Sequence, residues 1–336
     1  MLLKSSLAAL AAAFLAFLAA ACGGTGEASA DGEGNTKLTL VAYSTPREAY
    51  EELIPKFAET EEGRGVSFDQ SYASSGEQSR AVEAGLPADV VAFSLAPDVT
   101  RLVDGGLVAE DWAEDQYKGI VTNSVVVLVV RKGNPKDVKG WDDLVRDDIE
   151  VINPNPFTSG GARWNVMAGY GAQLEYGKTK EQAVDYLRDV LANIPVQDKS
   201  ARESLATFTG GKGDILLAYE NEAIFARQAG EEIDYIVPEE TILIENPVAV
   251  TSESENPEKA QAFVDFLRTP EAQRVFAEKG YRPVVEEVAG EFDFPAPSSL
   301  FTIDDLGGWD AVMDEFFDRE NGIMADIERD LGVAIE

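Results

Sequence analysis

The chain has no histidine and a single cysteine, Cys22. The first absence removes the commonest general base and the commonest transition-metal ligand. The second rules out an internal disulfide and any thiolate-rich metal site. Most catalytic plans close at this step, and no cofactor or metal is expected. Positive charge is also scarce: 28 Lys and Arg stand against 61 Asp and Glu, a formal net charge of −33. That balance argues against nucleic acid or an anionic membrane surface as a partner.

What is present is ordinary globular material. Apolar residues make up 45% of the chain and charged residues 26%, and 336 residues suffice for two domains of moderate size. The beginning differs. Lys4 supplies a basic start, Leu7 to Leu18 an apolar stretch, and Ala19-Ala-Ala-Cys22 closes it with small residues. The stretch is too short and alanine-rich for a membrane span. It resembles a bacterial lipoprotein signal (residues 1–21), cleaved before Cys22 with a lipid placed on its sulfur. Ala19 stands where such signals usually have leucine, so an ordinary secretory signal is the alternative. Residues 22–36, rich in Gly, Ala and Glu, read as a flexible tether.

Past the tether, β-rich runs alternate with helical patterns. The strand candidates are Lys37–Tyr43, Val66–Tyr72, Asp89–Phe93, Ser124–Arg131, Glu150–Asn153, Pro195–Asp198, Asp214–Tyr219, Asp234–Val237 and Ile242–Val250. Between them Tyr50, Leu53, Ile54 and Phe57 recur at helical spacing, as do Ala183, Tyr186, Leu187, Val190 and Leu191. This alternation predicts a doubly wound α/β architecture. The valine-rich runs Ser124–Arg131 and Ile242–Val250 read as crossings between two lobes that face a cleft. Lobe 1 would comprise 37–121 and 250–336, and lobe 2 would comprise 122–249. Ligands of such sheets sit where strands end and helices begin.

The most informative stretch is Asn153-Pro-Asn-Pro-Phe-Thr-Ser-Gly-Gly-Ala-Arg-Trp-Asn165. It follows an apolar run and enters a helix near Gly160. The first turn of a helix carries unpaired N–H donors and the positive end of its dipole, a place for an oxyanion. Adjacent glycines weaken such a helix by about 1–2 kcal/mol relative to alanine, which points to close backbone approach by something small. Other junctions repeat the device: Thr45-Pro-Arg-Glu48, Ser74-Ser-Gly-Glu-Gln78 and Ser200-Ala-Arg-Glu203 read as capping boxes, and Tyr219-Glu-Asn-Glu222 opens a helix. Each alone is explained by helix capping. Gly210-Gly-Lys-Gly213 lacks the first glycine and the Ser/Thr of a phosphate loop and reads as a turn. Trp141 and Trp164 fit core or cleft wall, and Arg163 and Arg202 fit pairing with carboxylates. Glu220 and Glu222, two apart on a helix, face different ways and make a poor acid/base pair.

Together with these junctions, Ala42-Tyr-Ser-Thr-Pro-Arg-Glu48, Val129-Val-Arg-Lys-Gly-Asn-Pro135, Asp198–Ser204, Ala218-Tyr-Glu-Asn-Glu-Ala223 and Phe301-Thr-Ile-Asp-Asp305 run in an order that resembles periplasmic sulfate/thiosulfate-binding proteins, over residues 37 to about 310. The resemblance implies the two-lobed type II periplasmic-binding fold and delivery of an anion to an ABC importer. It implies ligand contact at Ser44, Ser75, Ser159, Gly160, Gly161, Ala201 and Tyr219. Ser44 stands where the family commonly has aspartate, which acts through its backbone N–H. Tyr219 replaces the usual tryptophan, whose indole N–H donates to the anion.

The expected function is therefore capture of sulfate by a lipid-anchored, extracytoplasmic, monomeric binding protein that docks on the membrane permease of an ABC importer, touching the membrane only through its lipid. Thiosulfate, molybdate and tungstate remain alternative ligands. A secreted sulfate or phosphate ester hydrolase is the alternative of another class. It lacks a nucleophile with a neighbouring base.

Overall fold

The structure is a computed structural model that describes residues 36–333. The expected signal, most of the tether and Cys22 lie outside those residues. The element order is β1 (Thr36–Tyr43), α1 (Arg47–Glu59), β2 (Val66–Ala73), α2 (Ser75–Glu83), β3 (Val90–Ala92), α3 (Ala96–Asp104), β4 (Ile120–Arg131), β5 (Val151–Ile152), α4 (Gly160–Glu175), α5 (Lys180–Ala192), α6 (Ala201–Thr209), β6 (Ile215–Tyr219), α7 (Glu220–Gln228), β7 (Ile233–Ile236), β8 (Glu240–Val250), α8 (Pro257–Leu267), α9 (Pro270–Glu278), α10 (Glu286–Ala289), β9 (Ser299–Phe301), α11 (Gly308–Phe316) and α12 (Ile323–Asp330).

The strand sequences dictate a sheet covered on both faces. In β1, Leu38, Leu40 and Ala42 point to one side and pack with Tyr50, Leu53, Phe57 and Phe263. Val41 points to the other, with Val91, Phe93, Val99 and Leu102. The same period of two governs β4. Val126, Leu128 and Val130 enter a core built on Trp141, Trp164 and Met167. Val125, Val127 and Val129 enter another with Leu205, Phe208 and Ala223. Strands apolar on both faces require helices on both sides, as parallel α/β sheets provide.

The result is two α/β lobes. Their strands form a nine-stranded array in the order β2-β1-β3-β8-β4-β6-β5, with β7 added to β4 and β9 to β8. β1 pairs parallel with β2 and β3, whereas β8 runs antiparallel to both β3 and β4. β4 carries the connection: Thr122–Val125 pair with β8, and Val126–Val130 pair with β6.

Three local expectations are corrected. Pro195–Asp198 is not a strand. Pro195 has no N–H for a ladder, and the Asp198 carboxylate instead accepts from the hydroxyls of Ser204 and Thr207 in α6, both at 3.0 Å. Thr45 does not cap α1: the N-cap residue is Pro46, whose carbonyl accepts from the Ala49 and Tyr50 N–H groups, while the Thr45 hydroxyl meets Tyr281 at 3.1 Å. Ser75 is the first residue of α2, with Ser74 at the cap position, and its hydroxyl donates to Asp98. The closing segment also packs in a place the sequence did not suggest. Phe301, Ile303, Val312, Phe316, Met324 and Ile327 join the core of Trp141 and Trp164, although residues 250–336 were expected in the first lobe.

Candidate functional site

Strand ends and helix starts from both lobes converge on one cavity with about 230 Å³ of atom-free space. Its wall comes from the β1–α1 junction (Tyr43, Ser44, Thr45), the start of α2 (Ser74, Ser75) and the β3–α3 junction (Ser94). The other lobe contributes Ser159, Gly160 and Gly161 at the start of α4, Ser200 and Ala201 at the start of α6, and Tyr219 at the end of β6. Every lining residue is uncharged.

At these helix starts local structure leaves backbone N–H groups without an acceptor in their own helix. Ser159 caps α4 by accepting from the Ala162 N–H at 3.4 Å, and Ser200 caps α6 by accepting from the Glu203 N–H at 3.2 Å. Each cap satisfies the third N–H of its helix. The first two, on Gly160 and Gly161 and on Ala201 and Arg202, have no acceptor within the helix. Ser75 also begins a helix, and its N–H belongs to the same orphan class. Its side chain is committed elsewhere: the hydroxyl donates to Asp98 Oδ2 at 2.5 Å and accepts from the Ser94 N–H at 3.0 Å.

The nearest cations are turned to carboxylates. Arg202 makes a bidentate contact with Glu48 (2.7 and 3.0 Å), a second with Glu222 (3.1 and 3.0 Å), and donates to the Thr45 carbonyl at 3.0 Å. Burial alone lowers its proton affinity, but Glu222 and Glu48 outweigh that and the net shift is upward. Burial raises the Glu222 carboxyl despite Arg202, and it raises Glu220, which pairs with Arg282 at 2.7 Å. Glu220 and Glu222 thus serve different arginines. Arg163 donates to the Pro156 carbonyl at 2.9 Å and lies 3.9 Å from Asp98.

Several bonds tie the two lobes across this cavity. The Gly76 N–H donates to the Thr158 carbonyl at 3.2 Å. The Trp164 indole N–H donates to the Ser94 carbonyl at 2.8 Å. The Tyr219 and Ser94 hydroxyls lie 2.5 Å apart.

The sequence pattern of bacterial extracellular solute-binding proteins matches residues 38–282. The chain belongs to that family. Among solute-binding proteins it is 45% identical to a sulfate-binding protein of Synechococcus elongatus, over 92% of each chain. It is 34% identical to a thiosulfate-binding protein of Escherichia coli, over 84% of this chain and 88% of that one. The solved sulfate-binding protein SubI of Mycobacterium tuberculosis superposes with a TM-score of 0.82 at 44% identity, covering 84% of this chain and all of its own. That likeness extends to the two-lobed architecture.

All the candidate site residues, Ser44, Ser75, Ser159, Gly160, Gly161, Ala201 and Tyr219, line the one cavity. Sequence reasoning took Thr45 and Ser200 as caps only, and it missed Tyr43, Ser74 and Ser94. The signal for Ser94 was available. Phe93-Ser-Leu-Ala-Pro97 is another strand-to-helix junction, with proline in the first helical turn.

Proposed function

We propose that this solute-binding protein captures sulfate between its lobes and presents it to the permease of an ABC importer. The observation that carries the reading is the cavity wall of neutral donors at several helix starts. Sulfate is fully deprotonated at neutral pH, so donors alone satisfy it. Phosphate retains a proton and would leave an O–H without an acceptor, a mismatch that hydrogen-bonding sites reject strongly. The net charge of −33 does not oppose this, because charges beyond about 8 Å are screened at physiological salt whereas the helix dipoles touch the ligand. The names of the relatives support the same ligand class.

In this reading Ser75, Gly160, Gly161 and Ala201 bind through backbone N–H groups, as does Ser44, and Ser159 and Tyr219 complete the cage. The chain acts as a monomeric receptor and not as an enzyme, held outside the cytoplasm by a lipid on Cys22. The packing of Phe301 to Ile327 supports lobes that divide as 37–121 with 250–298, and 122–249 with 299–330. Thiosulfate is the second reading, favoured by the relative of that name. Calorimetric titration with sulfate, thiosulfate, molybdate, tungstate and phosphate tests the proposal. Sulfate should bind most tightly and phosphate least. A preference for molybdate or phosphate overturns the choice, and steady turnover of an aryl sulfate overturns the receptor role.

A further inference from the structure

Ser94 is held with unusual completeness. Its N–H donates to the Ser75 hydroxyl at 3.0 Å. Its carbonyl accepts from the Trp164 indole at 2.8 Å and from the Asn246 amide at 2.9 Å. The amide orientation of Asn246 is itself set, because its oxygen accepts from the Thr122 hydroxyl at 3.2 Å. Only the Ser94 hydroxyl is left uncommitted by backbone bonding. It lies 2.5 Å from the Tyr219 hydroxyl, both residues are buried, and both line the cavity. Gly160 makes room for it: a Cβ there would lie 2.8 Å from Ser94 Oγ.

Two hydroxyls that share one hydrogen bond have one proton between them and one to give elsewhere. The phenol is the more acidic and the better donor, and burial keeps it protonated. With the phenol as the better donor, Tyr219 donates to Ser94, which leaves the serine proton free to turn to the cavity. A hydroxyl that accepts one hydrogen bond is strengthened as a donor of the next.

We propose that Ser94 is a ligand-contacting, specificity-determining residue of the anion site, and that Tyr219 is a positioning residue that acts on the anion through it. This rests on the anion-receptor reading above. It assigns to a serine on one lobe the donor role that the family resemblance would give to position 219 on the other.

The test is calorimetric titration of the purified chain with sulfate in the parent, Ser94→Ala, Tyr219→Phe and the double variant. Losing a hydrogen bond to a charged ligand weakens binding by about 10- to 100-fold, and Ser94→Ala should show that loss. Tyr219→Phe should lose only several-fold, and the double variant should match Ser94→Ala. Melting of the ligand-free variants checks that folding is intact. A second arm places a ring-fluorinated tyrosine at position 219, at a pH where its phenol stays protonated. Its stronger phenol should tighten sulfate binding in the parent and have no effect in Ser94→Ala. Tyr219→Phe costing more than Ser94→Ala, additive losses, or a fluorination effect that survives Ser94→Ala each overturn the proposal. A parent that binds no tetrahedral oxyanion overturns the receptor reading instead.

Discussion

A methyl group on Gly160 would stand 2.1 Å from Leu95 Cδ2 and 2.7 Å from Ser94 Cβ. The contact joins the start of α4 in one lobe to the β3–α3 junction in the other. The sequence reading took the glycine pair as room for a ligand, but Gly160 first makes room for the opposite lobe. Gly161 is different: its Cβ would find Ala201, Ser159 and Tyr219 at 3.5 Å or more, an ordinary contact.

Gly160→Ala should therefore strain the closed lobes. Overpacking of this kind costs about 1–3 kcal/mol, so anion affinity should fall by roughly 10- to 100-fold. The melting temperature of the ligand-free protein should change little. Calorimetry together with small-angle scattering, with and without sulfate, checks both points. A variant that compacts and binds like the parent removes this account.

Arg202 supplies the second prediction. Removing it leaves Glu222 buried with no cation, which costs about 3–5 kcal/mol for a fully enclosed pair and less here, because Glu48 is partly solvated. Arg202→Ala should lower stability by more than Glu48→Gln, which leaves Arg202 paired with Glu222 and should cost only about 0–1 kcal/mol. Arg202→Lys should rescue poorly, since an ammonium cannot reproduce two forked contacts. Urea denaturation of the three variants tests the ranking.

Ser75 separates side chain from backbone. Its hydroxyl serves Asp98, a buried carboxylate whose Oδ1 has no hydrogen-bond partner among the described residues. Ser75→Ala should lower stability by about 1–3 kcal/mol, while sulfate affinity falls no more than several-fold because the N–H remains. A large affinity loss with unchanged stability would mean that the hydroxyl reaches the ligand.

Much of this was legible in the sequence because it is written locally. The unbroken apolar run Val125–Val130 announces a strand with two covered faces. Ser159-Gly-Gly161 announces a helix start whatever surrounds it. What failed needs distant partners. Ser94 stands at a legible strand-to-helix junction, but its pairing with Tyr219, 125 positions away, is not written there. The strand Ser299–Phe301 has only three residues and exists because Glu240–Ile242 lie beside it. The core assignment of Phe316 to Ile327 depends on a return of the chain that no window of periodicity records.

Glu328, on α12, gives the pH prediction. It is buried, and among the described residues neither carboxylate oxygen has a hydrogen-bond partner. Burial raises its carboxyl from 4.5 to about 7, with the Gln197 side chain acting the other way. Between those values the unfolded carboxyl has lost its proton while the folded one keeps it. Folding stability should therefore fall as pH rises from about 4.5 to about 7 and level off above. Glu328→Gln cannot ionise. Its melting temperature relative to the parent should be flat in acid, climb across that window, and flatten again. A constant difference from pH 4 to 8 would refute it.

In the lobe division proposed above, the passage from Glu291, held by Arg274 at 2.7 Å, to Phe301 in the far core is a third connection between the lobes beside β4 and β8. It is a leash of fixed length. The span from Glu291 to Ser299 cannot stretch past roughly 28 Å at full extension. The empty receptor can gape only as far as that leash pays out, so lengthening it should widen the resting mouth without touching a single donor of the cage.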